Sequence, residues 1–338
     1  MSSHPPSHRT PPLPLVDWQR QQARALREPE HLLERLGLPA NLPAEAREAA
    51  QQFPLRVPQS FVARMRPGDP GDPLLRQVLP LAEEKAEAEG FVHDPVGDGE
   101  ARAGRGLLHK YRGRVLLITT GACGIHCRYC FRRHYPYQEE HLQGEAWQQT
   151  LDYMAADPAI HEVILSGGDP LTLSDKRLAA MVADLQAIPH LTRLRLHSRQ
   201  PVVLPARVTE ALTALLGGTR LDTAMVLHVN HPNELDAEVD AALDGLRRAG
   251  VSLLNQSVLL KGVNDDAETL AALSERLFRA GVLPYYLHQL DRVQGAAHFE
   301  VEDDRALALV EALRARLPGY LVPRLVREVA GADSKRPL

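Results

Sequence analysis

Cys123, Cys127 and Cys130 are the only cysteines in 338 residues, and all three stand in one run, CGIHCRYC. Thiolate is a strong metal ligand, and a disulfide framework pairs its cysteines and belongs to small, cysteine-dense secreted chains. Three thiols on one short loop therefore describe a metal site in a reducing cytoplasm. Two metals fit the count. A structural zinc site closes on four ligands, and here the fourth would be His126, His134 or a distant residue. An iron-sulfur cluster is ordinarily held by four thiolates, so three leave one iron open to a cofactor or substrate. The spacing does not match the usual zinc patterns, and the cluster is the expectation. A zinc-stabilised, non-catalytic binding protein is the alternative.

Other residues able to do chemistry are scattered. Gly167-Gly168-Asp169-Pro170 reads as a tight turn, or as a place where backbone approaches a ligand closely. Ser198, Arg199, His228, Asn230 and His231 are candidates for cofactor contacts, or polar groups satisfied by local backbone. Lys110, Tyr111 and Arg114 form a basic stretch, either a phosphate cradle or a surface hairpin. Lys335, three residues before the last, reads by default as a solvated tail residue.

The elements that must position these groups are legible from periodicity. Strand-like runs fall at 115–119, 162–165, 193–197, 224–229, 252–260 and 284–288, and the stretch 320–328 reads as a final strand. Helical stretches at 174–187, 209–216, 236–249, 266–280 and 303–315 alternate with them, several opening on Ser, Thr or Asp as caps do. Strand and helix in strict alternation imply parallel strands with right-handed crossovers, so the class is α/β. Periodicity does not separate an open or closed barrel from a doubly wound sheet. In both, chemistry belongs at the carboxyl ends of the strands, which is where the thiol loop, Gly167 to Asp169, Ser198, Arg199, His228 to His231 and Asp291 fall. Residues 17–109 read as a preface of helices and loops, and residues 1–15, with five prolines, as a disordered arm.

Bulk properties narrow the class. The chain is 44% hydrophobic and 24% charged, enough for a sizeable core, and its net charge of −4 with no basic block argues against nucleic acid as a partner. No apolar run approaches the roughly 18 residues of a membrane span, and the start lacks a signal peptide's apolar segment. The expectation is a cytoplasmic protein with no membrane partner.

The thiol run, with Phe131-Arg132-Arg133, Gly167-Gly168-Asp169-Pro170, Tyr285-Tyr286, Asp291 and Gly295-Ala296-Ala297-His298-Phe299, resembles the lysine 2,3-aminomutase family of radical S-adenosylmethionine (SAM) enzymes. The likeness runs from about Trp18 to the end. It implies a partial (β/α)6 radical SAM barrel, divided as a helical region 16–109, a core 110–318 and a carboxyl-terminal segment 319–338. It implies three cofactors: a 4Fe-4S cluster on Cys123, Cys127 and Cys130, SAM on the open iron, and pyridoxal 5'-phosphate. The family sets the Gly167 to Asp169 segment against the methionyl amino group. Lys335 falls where the family's lysine forms a Schiff base with pyridoxal phosphate, which requires the tail to fold over the barrel mouth. Lys110 and Arg114 align with its phosphate-binding arginines. Arg132 would bind the substrate carboxylate, and Asp291 and Glu328 the side-chain ammonium, so the implied substrate is lysine. The implied reaction makes a β-amino acid from an α-amino acid by radical migration of the amino group.

Catabolic members carry aspartate where this chain has Glu328, and they continue well beyond the pyridoxal lysine. The short form, and the stretch 18–38, resemble instead the branch that makes (R)-β-lysine for elongation factor P. That likeness implies a functional link to elongation factor P and its lysyl ligase, and a reductant protein such as a flavodoxin. It leaves a homo-oligomer open. A catabolic or osmolyte-producing aminomutase is the competing reading.

Overall fold

The computed structural model describes residues 17–140 and 142–338, so the expectation for residues 1–15 lies outside it. Ten strands form one sheet in chain order: β1 (Arg102–Gly104), β2 (Leu107–Tyr111), β3 (Arg114–Thr120), β4 (Glu162–Gly167), β5 (Arg193–Ser198), β6 (Asp222–Leu227), β7 (Ser252–Val258), β8 (Leu283–His288), β9 (Arg324–Arg327) and β10 (Arg336–Pro337). Strands β3 to β9 are parallel. The flanking strands β1, β2 and β10 run antiparallel to their neighbours.

Helices Glu145–Ala156, Asp175–Gln186, Glu210–Gly218, Ala237–Arg248, Ala267–Arg279 and Asp303–Arg316 each return the chain to the next parallel strand. Ser174, Thr209, Asp236 and Asp266 cap four of them, each accepting from a backbone N–H in the first turn. The α/β expectation holds, and the six expected strands lie within two residues of the observed ends. The sheet order also decides between barrel and doubly wound sheet. A doubly wound sheet reverses its order at a switch point, and this one never does. It curls far enough that Tyr111 on β2 hydrogen-bonds Glu328, just past β9. Side chains thus bridge a seam between strands seven places apart, the mark of a partial barrel.

Two expectations need correction. The stretch to 109, read as helix and loop, ends in the hairpin of β1 and β2, whose strands are short and glycine-interrupted and so show no usable alternation. The stretch 320–328 is not one strand: a 3-10 turn at Gly319–Leu321 precedes β9.

Alternation along the strands sorts side chains by chemistry. On β5, Leu194 and Leu196 join the helix-facing core with Val163, Leu165, Met225 and Leu227, while Arg195 and His197 occupy the other face. The barrel interior is therefore polar. The amino-terminal region packs a separate core of Trp18, Leu32, Leu55, Phe61, Leu74 and Leu75 against Ile125 of the thiol loop and Val203 and Leu204. One layer of apolar contacts holds the loop against this region.

Candidate active site

The thiol loop leaves β3 and is held from both sides. On one side, Gly168 N–H donates to Thr120 O at 2.7 Å and Asp169 N–H to Ala122 O at 2.8 Å. Gly167 has φ +118°, and a Cβ on Gly168 would stand 2.4 Å from Ala122 O. The close backbone approach expected of this glycine pair is thus made to the thiol loop itself. On the other side, His126 N–H donates to Arg56 O and Arg128 N–H to Gln77 O, both at 2.9 Å. Arg128, fully buried, also donates to Glu84 Oε1 at 2.8 Å and Oε2 at 2.6 Å.

Cys123, Cys127 and Cys130 are free and half-buried. Burial pushes the Cys123 thiol well up, and Cys130, Asp169 and Cys127 push it further. Burial and then Cys127 push Cys130 up to about 11. The positive charge of bound iron or another metal would offset this cost of ionising Cys123 and Cys130. In a four-iron cluster each thiolate takes its own iron, and three thiols on one loop can hold three of them and leave the fourth open. The donor set fits the cluster.

A buried polar network lies beside Cys127. Arg199 Nη1 donates to Cys127 Sγ and to Tyr129 Oη, each at 2.8 Å, while Nη2 donates to Gln77 Oε1 at 2.6 Å and Glu234 Oε2 at 2.8 Å. Asn230 Nδ2 reaches Tyr129 Oη at 2.7 Å and Gln77 Oε1 at 3.0 Å. His228 Nε2 lies 2.9 Å from Tyr129 Oη, and burial and then Arg199 lower its pKa to about 3, so it stays neutral. Asp169 accepts from Ser198 Oγ at 2.8 Å and from the N–H groups of Leu171, Arg199 and Gln200, tying the ends of β4 and β5 together. His231 goes elsewhere. Its Nδ1 accepts from Asn233 N–H at 3.2 Å, and its charged neighbours Glu234, Asp72, Asp266 and Arg66 lie outside the thiol loop. It caps a turn, the ordinary reading.

A second cluster of charge fills the barrel interior. Asp98, almost wholly buried, takes Lys110 Nζ on Oδ1 at 2.7 Å and Arg132 Nε on Oδ2 at 2.6 Å. Burial alone would raise its carboxyl, yet Arg132 and Lys110 hold it below the usual range. Arg132 Nη1 reaches Ser166 Oγ at 3.3 Å. Lys110 Nζ also donates to Val96 O at 2.6 Å, so its charge is already engaged. The Arg114 guanidinium lies over the Tyr111 ring, 4.6 Å from its centroid.

Lys335 reaches this interior by way of the β9–β10 hairpin, which turns through Gly331 at φ +72° and pairs Arg336 with Arg327. Its ammonium forms an ion pair with Glu328, and its charge is felt by His197, His288 and Asp291. Glu328 accepts from Tyr111 Oη on the other oxygen, with Lys110 Nζ 3.9 Å away. Burial would raise Glu328, but Lys335, Tyr111 and Lys110 keep it low. Asp291 is different. Burial lifts its carboxyl to about 7, and no hydrogen bond from the described residues reaches it. His197 Nε2 and His288 Nε2 are likewise buried without a partner. Orphaned polar atoms around an inward lysine, with the Lys110 and Arg114 cations nearby, suit a polar, anionic cofactor such as pyridoxal phosphate. Asp98, Gln77, Tyr129, Glu234 and Glu84 escaped the sequence reading; only their contacts mark them.

A family model described as the Radical SAM superfamily matches residues 117–273, from β3 into the helix Ala267–Arg279. The L-lysine 2,3-aminomutase of Escherichia coli (strain K12) is 51% identical over 323 residues, covering 95% of this chain and 94% of that one. That of Haemophilus influenzae is 49% identical over 94% of each chain. That of Clostridium subterminale is 34% identical over 95% of this chain and 77% of its own. Fold and thiol loop together define a radical SAM enzyme. The chain belongs to the L-lysine 2,3-aminomutase family, and it is an isomerase of the aminomutase class.

Proposed function

We propose that this protein is a cytoplasmic radical SAM, pyridoxal-phosphate-dependent 2,3-aminomutase that converts (S)-α-lysine to (R)-β-lysine for the modification of elongation factor P. The observation that carries the reading is the inward turn of Lys335, whose charge reaches His197, His288 and Asp291 at the same strand ends that carry the thiol loop. A cluster with SAM supplies a one-electron cleavage that yields a hydrogen-abstracting radical, and pyridoxal phosphate supplies the π-system through which nitrogen migrates.

The chain's own groups do the rest. Arg132, fixed at Nε by Asp98, offers its Nη edge to the substrate carboxylate. Asp291 and Glu328 face a side-chain ammonium, which selects lysine over neutral amino acids. Lys110 and Arg114 flank the interior where a phosphate would sit, and Lys110 must then share its charge with Asp98. Gly167, Gly168 and Asp169 shape the thiol loop against the SAM site, with Ser198, Arg199, His228 and Asn230 behind it. For the cellular role, the support is the likeness of residues 18–38 to the elongation factor P branch.

Anaerobically reconstituted protein given lysine, SAM, pyridoxal phosphate and a flavodoxin-class reductant should form β-lysine. Absence of β-lysine from protein that holds its full iron would refute the reading. Lys335→Ala should lose borohydride-trapped pyridoxal and all mutase activity while keeping its iron. Cys127→Ala should lose the iron and keep the trapped pyridoxal. Deleting the gene should leave elongation factor P unmodified, whereas accumulation of lysine would point to catabolism.

A further inference from the structure

Glu328 has two claimants. As the proposed acid for the substrate's side-chain ammonium it must accept a primary ammonium at the end of a flexible alkyl chain. In this structure it already holds one, Lys335 Nζ on Oε2, while Tyr111 Oη takes Oε1. The occupant is chemically the same group as the proposed ligand, borne on a lysine. Glu328 is mostly buried, 9% exposed at the side chain, and Lys110 Nζ lies 3.9 Å away, so a third cation at this carboxylate meets two already there. Asp291 makes no ion pair among the described residues, and serving the substrate with it alone forfeits half of the acid pair.

We propose that Lys335 occupies the substrate-ammonium subsite of the cofactor-free protein, so that loading of pyridoxal phosphate onto Lys335 is what opens Glu328 to a cationic substrate. The inference rests on the reading of Lys335 and Glu328 given above. Loading joins Nζ to the cofactor's aldehyde carbon as a carbon–nitrogen double bond, with loss of water and release of an ammonium proton to solvent. Nζ then points at the cofactor and no longer spends its three N–H donors on Glu328. Cofactor precedes substrate, and the cofactor-free chain turns lysine away. If the ion pair is closed about nine-tenths of the time, the apparent affinity for lysine falls about tenfold.

The test is a calorimetric titration of full-length, cluster-loaded protein freed of pyridoxal phosphate, with lysine and with norleucine, which lacks the side-chain ammonium. Lys335→Met should bind lysine about tenfold more tightly than the unsubstituted protein. Norleucine affinity should be the same in both. Glu328→Gln should bind lysine weakly whether or not Lys335 is present. Equal lysine affinity in Lys335→Met and the parent would overturn the inference while leaving the functional reading intact, provided that borohydride and mass spectrometry place pyridoxal on Lys335. Pyridoxal trapped on another residue would overturn both. Circular dichroism of each variant checks that its fold is retained, and a misfolded Lys335→Met is replaced by Lys335→Gln under the same criteria.

Discussion

Asp291 is an interior acid whose ionisation lies within reach of ordinary pH. Burial raises its carboxyl to about 7, with Lys335 drawing it down and Glu328 pushing it up. A group raised in this way is neutral below that value and charged above it. The affinity for a cationic substrate should therefore weaken as pH falls through about 7, seen as a rising KM for lysine. Asp291→Asn should remove that dependence and raise KM at high pH. A pH profile unchanged by the substitution would assign the titration to another group. Single residues also mark the limit of sequence reading. The three thiols announced themselves by spacing, and Lys335 by resemblance. Asp98 did not, because its partners Lys110 and Arg132 are 12 and 34 residues away in the chain and no local pattern records an ion pair. His231 shows what spacing leaves out: a histidine at a strand end whose Nδ1 accepts from Asn233 N–H at the head of a turn.

The β4-to-β5 segment works as a bracket for the thiol loop, and glycine makes it possible. At Gly168 a methyl group would meet the carbonyl oxygen of Ala122 at 2.4 Å and backbone carbon of Gly121 at 2.8 Å, atoms that cannot rotate away. Gly168→Ala should push the loop off the bracket, costing roughly 1–3 kcal/mol of stability. Iron content after anaerobic reconstitution should fall in the same variant, and an unchanged iron-to-protein ratio would show that the loop tolerates the shift. Asp169 completes the bracket by accepting from three backbone N–H groups and Ser198. Elements were the most legible scale, since six strands and five helices follow from alternation and caps. The hairpin of β1 and β2 was missed because its strands are short and carry no usable alternation, although both pairings are local and β2 turns into β3 within two residues.

Across the whole molecule, the amino-terminal region and the barrel meet at the thiol loop through Glu84, Arg128 and Arg133. Glu84 takes Arg128 Nη2 at 2.6 Å and Arg133 Nη2 at 2.8 Å, with all three side chains nearly inaccessible. Removing the carboxylate strands two buried guanidinium ions, so Glu84→Ala should cost about 3–5 kcal/mol. Urea unfolding would report it as a lowered midpoint, and a change under about 1 kcal/mol would show that water reaches the arginines instead. The sequence reading could not foresee that the amino-terminal region supports the thiols, because contacts of that range come only from tertiary packing.

Asp98, Glu84 and Glu234 each sit out of solvent with their arginine or lysine partners. Mobile ions screen charges that water can reach, over a Debye length of about 10 Å at 0.1 M, and hardly touch pairs enclosed by protein. Raising ionic strength should accordingly loosen any charge-guided encounter at the outer face while leaving the internal arrangement of these pairs as it is.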